Sequence, residues 1–291
     1  MDFNEKFAEY SDYFNEVLTE FCNNLTCQPQ ILADSMRYSL LLGGKRIRPV
    51  LMLAVGDLLG ADRDKLKNFA LALELIHTYS LIHDDLPEMD NDDFRRGKPS
   101  NHKVFGAGNA VLAGDGLLNT AYSVLIKECV KGAEYVSAAE LICDYAGVYG
   151  MIGGQSADLL HEGDGSYNEE TLNFIYENKT AKLITAAVVV PDIINGGKHF
   201  SQLKTFGSDL GYLFQLTDDV LDVEGSFVNL GKSTGKDEKA GKYTAVSLYG
   251  LEACKLRADV CAERCRTLIE GIGGDGEFLI KLVDYVRGRK N

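Results

Sequence analysis

The chain has no CxxC pair among its seven cysteines (22, 27, 129, 143, 254, 261 and 265), and an odd number cannot close completely within one chain. A disulfide framework is therefore not indicated. Scattered core thiols in a reducing compartment fit better, including Cys261 and Cys265, one helical turn apart. There is no apolar run long enough to cross a bilayer: the longest, Leu183 to Val190, stops at Pro191. No basic, apolar leader opens the chain, since Met1-Asp2-Phe3-Asn4-Glu5 is acidic and polar. Positive charge is scarce as well. With 30 Lys and Arg against 43 Asp and Glu, the net charge of −13 argues against nucleic acid or an anionic membrane as partner, because both select basic faces. Alternating Val/Ile/Thr strand patterns are also missing. These absences together predict a cytoplasmic, all-α protein with no stable membrane insertion.

What is present is helical periodicity along 291 residues, a length that buries one large core and reads as one domain over 1–291. Phe3, Phe7, Tyr10, Phe14, Leu18 and Phe21 form one amphipathic stripe over 3–22. Further helices are expected at roughly 28–42, 47–59, 63–86, 108–130, 134–161, 168–190, 199–224, 243–271 and 275–288. Ser166-Tyr167-Asn168-Glu169 resembles a capping box. Two stretches break the pattern. Residues 91–107 are polar and basic, and residues 225–244 hold four glycines with Lys232, Lys236, Lys239 and Lys242, a composition suited to a closing lid.

Two acidic clusters dominate the chemistry: Asp84-Asp85-Leu86-Pro87-Glu88-Met89-Asp90 and Asp218-Asp219-Val220-Leu221-Asp222. Clustered carboxylates at an interior surface repel one another and are costly to desolvate unless a cation joins them. All-oxygen donors favour magnesium. Asp218 and Asp222 share a helix face at i and i+4, whereas a regular helix would rotate Asp90 roughly 240° away from Asp84. Pro87 is expected to supply the break that returns Asp90 to the same side. One such cluster alone would usually be a solvated helix face, but two inside apolar surroundings make that reading weak. Gly43-Gly44-Lys45-Arg46-Ile47-Arg48-Pro49 is the sharpest basic cluster. Its glycines admit close backbone approach, and Lys45 with Arg48 suit a diphosphate held without metal. His83 beside Asp84 reads as an orienting or core histidine.

These motifs resemble the short-chain trans-polyprenyl diphosphate synthases, most closely the bacterial farnesyl diphosphate synthases. The resemblance rests on the glycine–basic run, the stretch Leu81 to Pro99, Gly153-Gly154-Gln155, Lys179-Thr180 and Phe214 to Asp219, in family order from about residue 30 onward. It implies a large single-domain helical bundle around a deep central cavity, of the class I isoprenoid synthase type, and a homodimer. It also implies that Asp84, Asp90 and Asp218 hold magnesium on an allylic diphosphate, with Asp85, Asp219 and Asp222 as ligands or support. Arg95, Lys179, Lys232 and Lys242 would grip that diphosphate. Lys45, Arg48, His77 and Arg96 would hold isopentenyl diphosphate. Thr180, Gln215 and the backbone at Lys179 would turn dipoles toward an allylic cation. Ala181 departs from the glycine many relatives carry, which puts the local backbone in question. The basic run Val286 to Asn291 would close over the second diphosphate.

The implied activity is condensation of isopentenyl diphosphate with dimethylallyl and geranyl diphosphate to give (2E,6E)-farnesyl diphosphate. Tyr79 and Ser80, one to two turns before the first cluster, would floor the product tunnel. A geranylgeranyl diphosphate synthase stays open as the alternative. Less favoured are a terpene cyclase, which would lack the Gly43–Pro49 grip, and a non-catalytic synthase subunit, which would tend to lose aspartates.

Overall fold

The computed structural model describes residues 2–162, 168–224 and 244–289. Its first half comprises α1 (Phe3–Asn24), α2 (Gln30–Leu40), α3 (Ile47–Leu59), α4 (Arg63–Asp84), a short hairpin β1 (Phe94–Arg95) and β2 (Lys98–Pro99), α5 (Asn101–Phe105) and α6 (Ala107–Cys129). Then come α7 (Ala133–Ala146), α8 (Met151–His161), α9 (Glu169–Ile175), a π-helical turn (Tyr176–Ala181), α10 (Lys182–Ile194), α11 (Phe200–Glu224), α12 (Ala245–Tyr249), α13 (Leu251–Glu270) and α14 (Glu277–Gly288). No helix among the described residues is long and apolar enough to cross a membrane.

Local chemistry sets many of the helix ends. Asp2 and Glu5 form a capping box on α1, and Asp62 caps α4 through the Asp64 amide. Pro49 sits in the first turn of α3, where its missing N–H costs no helical bond. Ser166 and Tyr167 of the expected capping box lie outside the described residues. The cap of α9 is Asn168, whose side chain accepts from Thr171 N.

α10 is apolar all round and buried from Leu183 to Asp192, so it runs through the centre of the bundle, against α3, α7 and α11. α4 packs on α3 and α6, and α11 on α10 and α13. The two aspartate-bearing helices are thus both fixed by the common core.

Several expected boundaries move. The single helix over 134–161 is two, bent at Gly147–Gly150, where a Cβ on Gly150 would stand 2.1 Å from the Tyr145 carbonyl oxygen. The helix expected over 243–271 breaks at Gly250, which takes φ +83°. α10 continues past Pro191 to Ile194, because a proline one turn from the end removes only one helical bond. The expected loop at 91–107 contains the hairpin. Its two turn residues, Arg96 (φ +53°) and Gly97 (φ +74°), both have the positive φ that a type I′ turn requires.

Candidate active site

α4 ends at Asp84, before Pro87, so the proline does not kink the helix. Asp90 returns through tight turns instead: its amide donates to Asp84 O at 2.8 Å, and the Met89 and Asn91 amides donate to Leu86 O at 2.9 and 3.0 Å. Asp84 lines a cavity of about 500 Å³. Burial pushes its carboxyl up to about 6. Lys179 and Arg95 oppose the rise, while Asp90 and Asp85 add to it.

Adjacent residues on a helix point about 100° apart, so only one member of each Asp-Asp pair can face the cavity. Asp85 is 2% exposed and receives the Arg95 guanidinium, with Nε 3.1 and 3.2 Å from its two oxygens. Asp219 is 3% exposed and also satisfied internally. Its Oδ2 accepts from the Tyr176 hydroxyl and from Ala245 N at 2.7 Å, and its Oδ1 from Gln215 Nε2 at 3.1 Å. Both second aspartates, which the sequence groups with the metal set, are therefore turned into the protein. Asp218 and Asp222 remain one turn apart on the same, partly exposed face of α11. Among the described residues no three His, Cys, Asp or Glu side chains converge on one point, so the two acidic pairs stand as separate half-sites.

The basic residues converge beside this cavity. Arg96 donates to Gly43 O, and its guanidinium fills the space a Cβ on Gly44 (φ +126°) would take, at 2.4 Å from Cζ. Arg46 is used structurally, donating at 2.6 Å to both Glu74 Oε1 and Leu40 O. Arg48 lines the cavity and its buried Nε has no hydrogen-bond partner. Burial brings its guanidinium down to about 10, with Arg96 adding to the effect and Glu74 opposing it. Burial and then Arg48, Arg96, Arg95 and Arg46 hold the His77 imidazole neutral, well below its usual range. Lys45 Nζ lies 5.5 Å above the Tyr285 ring.

The π-helical turn carries Lys179 and Thr180 to the cavity wall. Such turns are rare and recur at functional sites. Lys179 Nζ pairs with Asp158 Oδ2 at 2.6 Å, and Thr180 Oγ1 donates to Gln215 Oε1 at 3.1 Å. Gly154 admits this turn: a Cβ there would lie 2.2 Å from Lys179 N. Ala181 packs on Gly211, where a Cβ would meet the Ala181 Cβ at 2.4 Å. The alanine that departs from the family pattern is thus accommodated by a glycine on the neighbouring helix.

Tyr79 and Ser80 both line the cavity. The Tyr79 ring is 5% exposed and meets His83 edge-on at 5.7 Å between centroids. His83 Nε2 lies 3.0 Å from Val111 O, in a notch where a Cβ on Gly114 would stand 2.1 Å away. It props α4 against α6, in keeping with an orienting role.

Lys232 and Lys242, and the lid expected over 225–244 up to Lys242 and Tyr243, lie outside the described residues. Asp158, Tyr176 and Arg289 escaped individual notice in the sequence. Asp158 follows Gly154 by one helical turn, Arg289 belongs to the noted basic run, and Tyr176 carries no signal. Arg289 Nη2 sits 2.7 Å from Asp218 Oδ1 and 2.7 Å from Phe214 O, with Cζ 3.8 Å above the Phe214 ring.

A profile of the polyprenyl synthetase family matches residues 29–267. The chain is 43% identical over 269 residues to the chloroplastic geranylgeranyl pyrophosphate synthase of Capsicum annuum, covering 91% of this chain and 73% of that protein. It is 42% identical over 266 residues to the farnesyl diphosphate synthase of Bacillus subtilis, covering 90% of each. The solved structure of a Helicobacter pylori geranyltransferase, complexed with magnesium and isoprenyl diphosphate, superimposes with a TM-score of 0.82 at 31% identity, over 97% of this chain and 96% of that one. A cavity walled by Asp84, Arg48, His77 and the π-turn Lys179 in an all-α bundle, together with these likenesses, places the chain in the polyprenyl synthetase family, among its short-chain trans-prenyltransferases.

Proposed function

We propose that the chain condenses isopentenyl diphosphate with dimethylallyl and then geranyl diphosphate to give (2E,6E)-farnesyl diphosphate. The carrying observation is a single cavity whose wall holds Asp84, Lys179 and Thr180, the basic Arg48 with His77, and Tyr79 about 7.5 Å along α4 from Asp84.

The residues fit magnesium. Asp84, Asp90, Asp218 and Asp222 offer hard oxygen donors, burial beside like charges makes Asp84 gain from a cation, and Arg289 already serves as counterion to Asp218. Bound there, magnesium would supply Lewis-acid neutralisation of the departing allylic diphosphate. Lys179, held by Asp158, and Arg95, held by Asp85, add positive charge fixed in place before the substrate arrives. Lys232 and Lys242 are assigned to the same diphosphate. Lys45, Arg48 and Arg96 hold isopentenyl diphosphate, with the partnerless Arg48 Nε as a ready donor, and neutral His77 still offers one ring N–H. Thr180 and Gln215 face the allylic cation, and the apolar walls keep water from capturing it.

Product length rests on Tyr79. Chromatography of products made from isopentenyl and dimethylallyl diphosphate is expected to show fifteen carbons for the wild type and twenty or more for Tyr79→Ala, since the void left by the ring accepts another isoprene unit. A Tyr79→Ala enzyme that still stops at fifteen carbons moves the floor elsewhere. The twenty-carbon product is the second reading, favoured by the likeness to the Capsicum annuum enzyme; a wild type yielding mainly that product establishes it.

A homodimer is proposed through α6 and the α7–α8 bend, where Leu112, Ile126, Val130, Val148 and Tyr149 are exposed. Sedimentation equilibrium should give twice the chain mass. Ile126→Glu should shift the protein toward monomer, and a monomeric wild type contradicts the assignment.

A further inference from the structure

We infer that Asp219 and Tyr176 are positioning residues that set the direction of the Thr180 hydroxyl through the Gln215 side-chain amide. The inference deepens the proposed function and rests on it.

The argument is one of donors and acceptors. Asp219 accepts at both oxygens: Oδ2 from the Tyr176 hydroxyl and Ala245 N, and Oδ1 from Gln215 Nε2 at 3.1 Å, so the NH₂ edge of the Gln215 amide faces it. That choice turns the amide oxygen toward Thr180. An amide oxygen also only accepts, so the single proton of Thr180 Oγ1 is committed to it across 3.1 Å. Thr180 lines the cavity, and its lone pairs are what remain to face the interior. The wall thereby presents an acceptor to a developing carbocation. With the amide reversed, Gln215 would donate to Thr180 and the hydroxyl proton would point into the cavity, the wrong sign for a cationic centre.

Asp219 can impose this direction because it cannot itself turn. It is buried, Tyr176 donates to its Oδ2, and Ala245 N bonds both that oxygen (2.7 Å) and the Tyr176 hydroxyl (2.9 Å). Tyr176 and Thr180 lie on the same π-helical turn, so one element supplies both the residue that locks Asp219 and the residue that Asp219 orients. A fully bonded, interior carboxylate that fixes the orientation of its neighbours needs no metal to explain its burial.

The test separates positioning from metal ligation. Calorimetry with magnesium and a non-ionisable thiolo analogue of the allylic diphosphate is expected to give affinities for Asp219→Asn and Tyr176→Phe within about threefold of wild type, whereas Asp218→Asn loses magnesium-dependent binding. In turnover, Asp219→Asn and Thr180→Val should each lower kcat by about 100-fold, and the double variant should be no worse than Thr180→Val, since both break one relay. Tyr176→Phe, which removes one oxygen, should lower kcat about tenfold with KM unchanged. It also carries the test should Asp219→Asn fail to fold. Loss of magnesium-dependent analogue binding in Asp219→Asn, additive effects in the double variant, or wild-type kcat in Tyr176→Phe overturns the inference. Absence of any condensation by the wild type instead overturns the proposed function.

Discussion

Asp84→Asn is expected to lower turnover by about three orders of magnitude while making the metal-free protein more resistant to heat near neutral pH. Both effects come from one unfavourable ionisation. Burial, reinforced by Asp90 and Asp85, raises the Asp84 carboxyl from its ordinary 3.8 to about 6. A carboxyl whose folded pKa lies above its unfolded value binds its proton more tightly when folded, so its ionisation costs stability as pH rises between the two. Below that window the wild type and Asp84→Asn should melt alike. Through it the variant should pull ahead, and above about 6 the advantage should level off. Thermal melts in chelator across this range check the sign; an advantage that is largest in acid contradicts it. Chelator should likewise abolish wild-type turnover. The site thus trades stability for a carboxylate that gains from a cation.

Gly154→Ala should have the next largest effect for so small a change. Its Cβ would stand 2.2 Å from Lys179 N and 2.8 Å from Asn178 C, and backbone cannot swing aside as a side chain can. The π-helical turn must shift, taking Lys179 and Thr180 with it. A displacement near 1 Å at a reacting centre costs about 100-fold in rate, and overpacking of this kind about 1–3 kcal/mol in stability. The loss should appear in kcat, whereas Lys45→Ala and Arg48→Ala should act mainly on KM for isopentenyl diphosphate. Gly108→Ala is the control: nothing lies within 4 Å of its would-be Cβ, and alanine is the better helix former. Equal activity of Gly154→Ala and Gly108→Ala would remove Gly154 from the positioning of the turn.

Much of the fold is local and therefore legible in the order of residues. The stripe over 3–22 became α1, and 47–59 is α3 to the residue, because apolar spacing by three and four and the residues at each end act within one or two turns. The all-α class, the two acidic clusters and the basic run after Gly43 could be read for the same reason. The breaks could not. Gly147–Gly150 and the π-helical turn at Tyr176–Ala181 interrupt stretches of unbroken helical periodicity: at the first the chain folds back onto its own Tyr145 carbonyl, and at the second the backbone passes against Gly154 of α8.

Composition and spacing alone determined that carboxylates, lysines and arginines would meet around an apolar interior, since residue type sets charge and periodicity sets which face is buried. Only the tertiary structure decided which of them face the cavity. Asp84 and Asp85 differ in sequence by one position, yet one lines the cavity and the other is closed off by Arg95 from the hairpin. Asp218, partly exposed, and Asp219, buried, are parted by the partners each finds: Arg289 from beyond α14 for the first, and Tyr176, Gln215 and Ala245 for the second. Those partners lie as many as 71 positions away along the chain in the case of Arg289 and Asp218 (289 − 218). A carboxylate's role depends on what surrounds it in space, and that is settled by packing between helices rather than by the residues beside it.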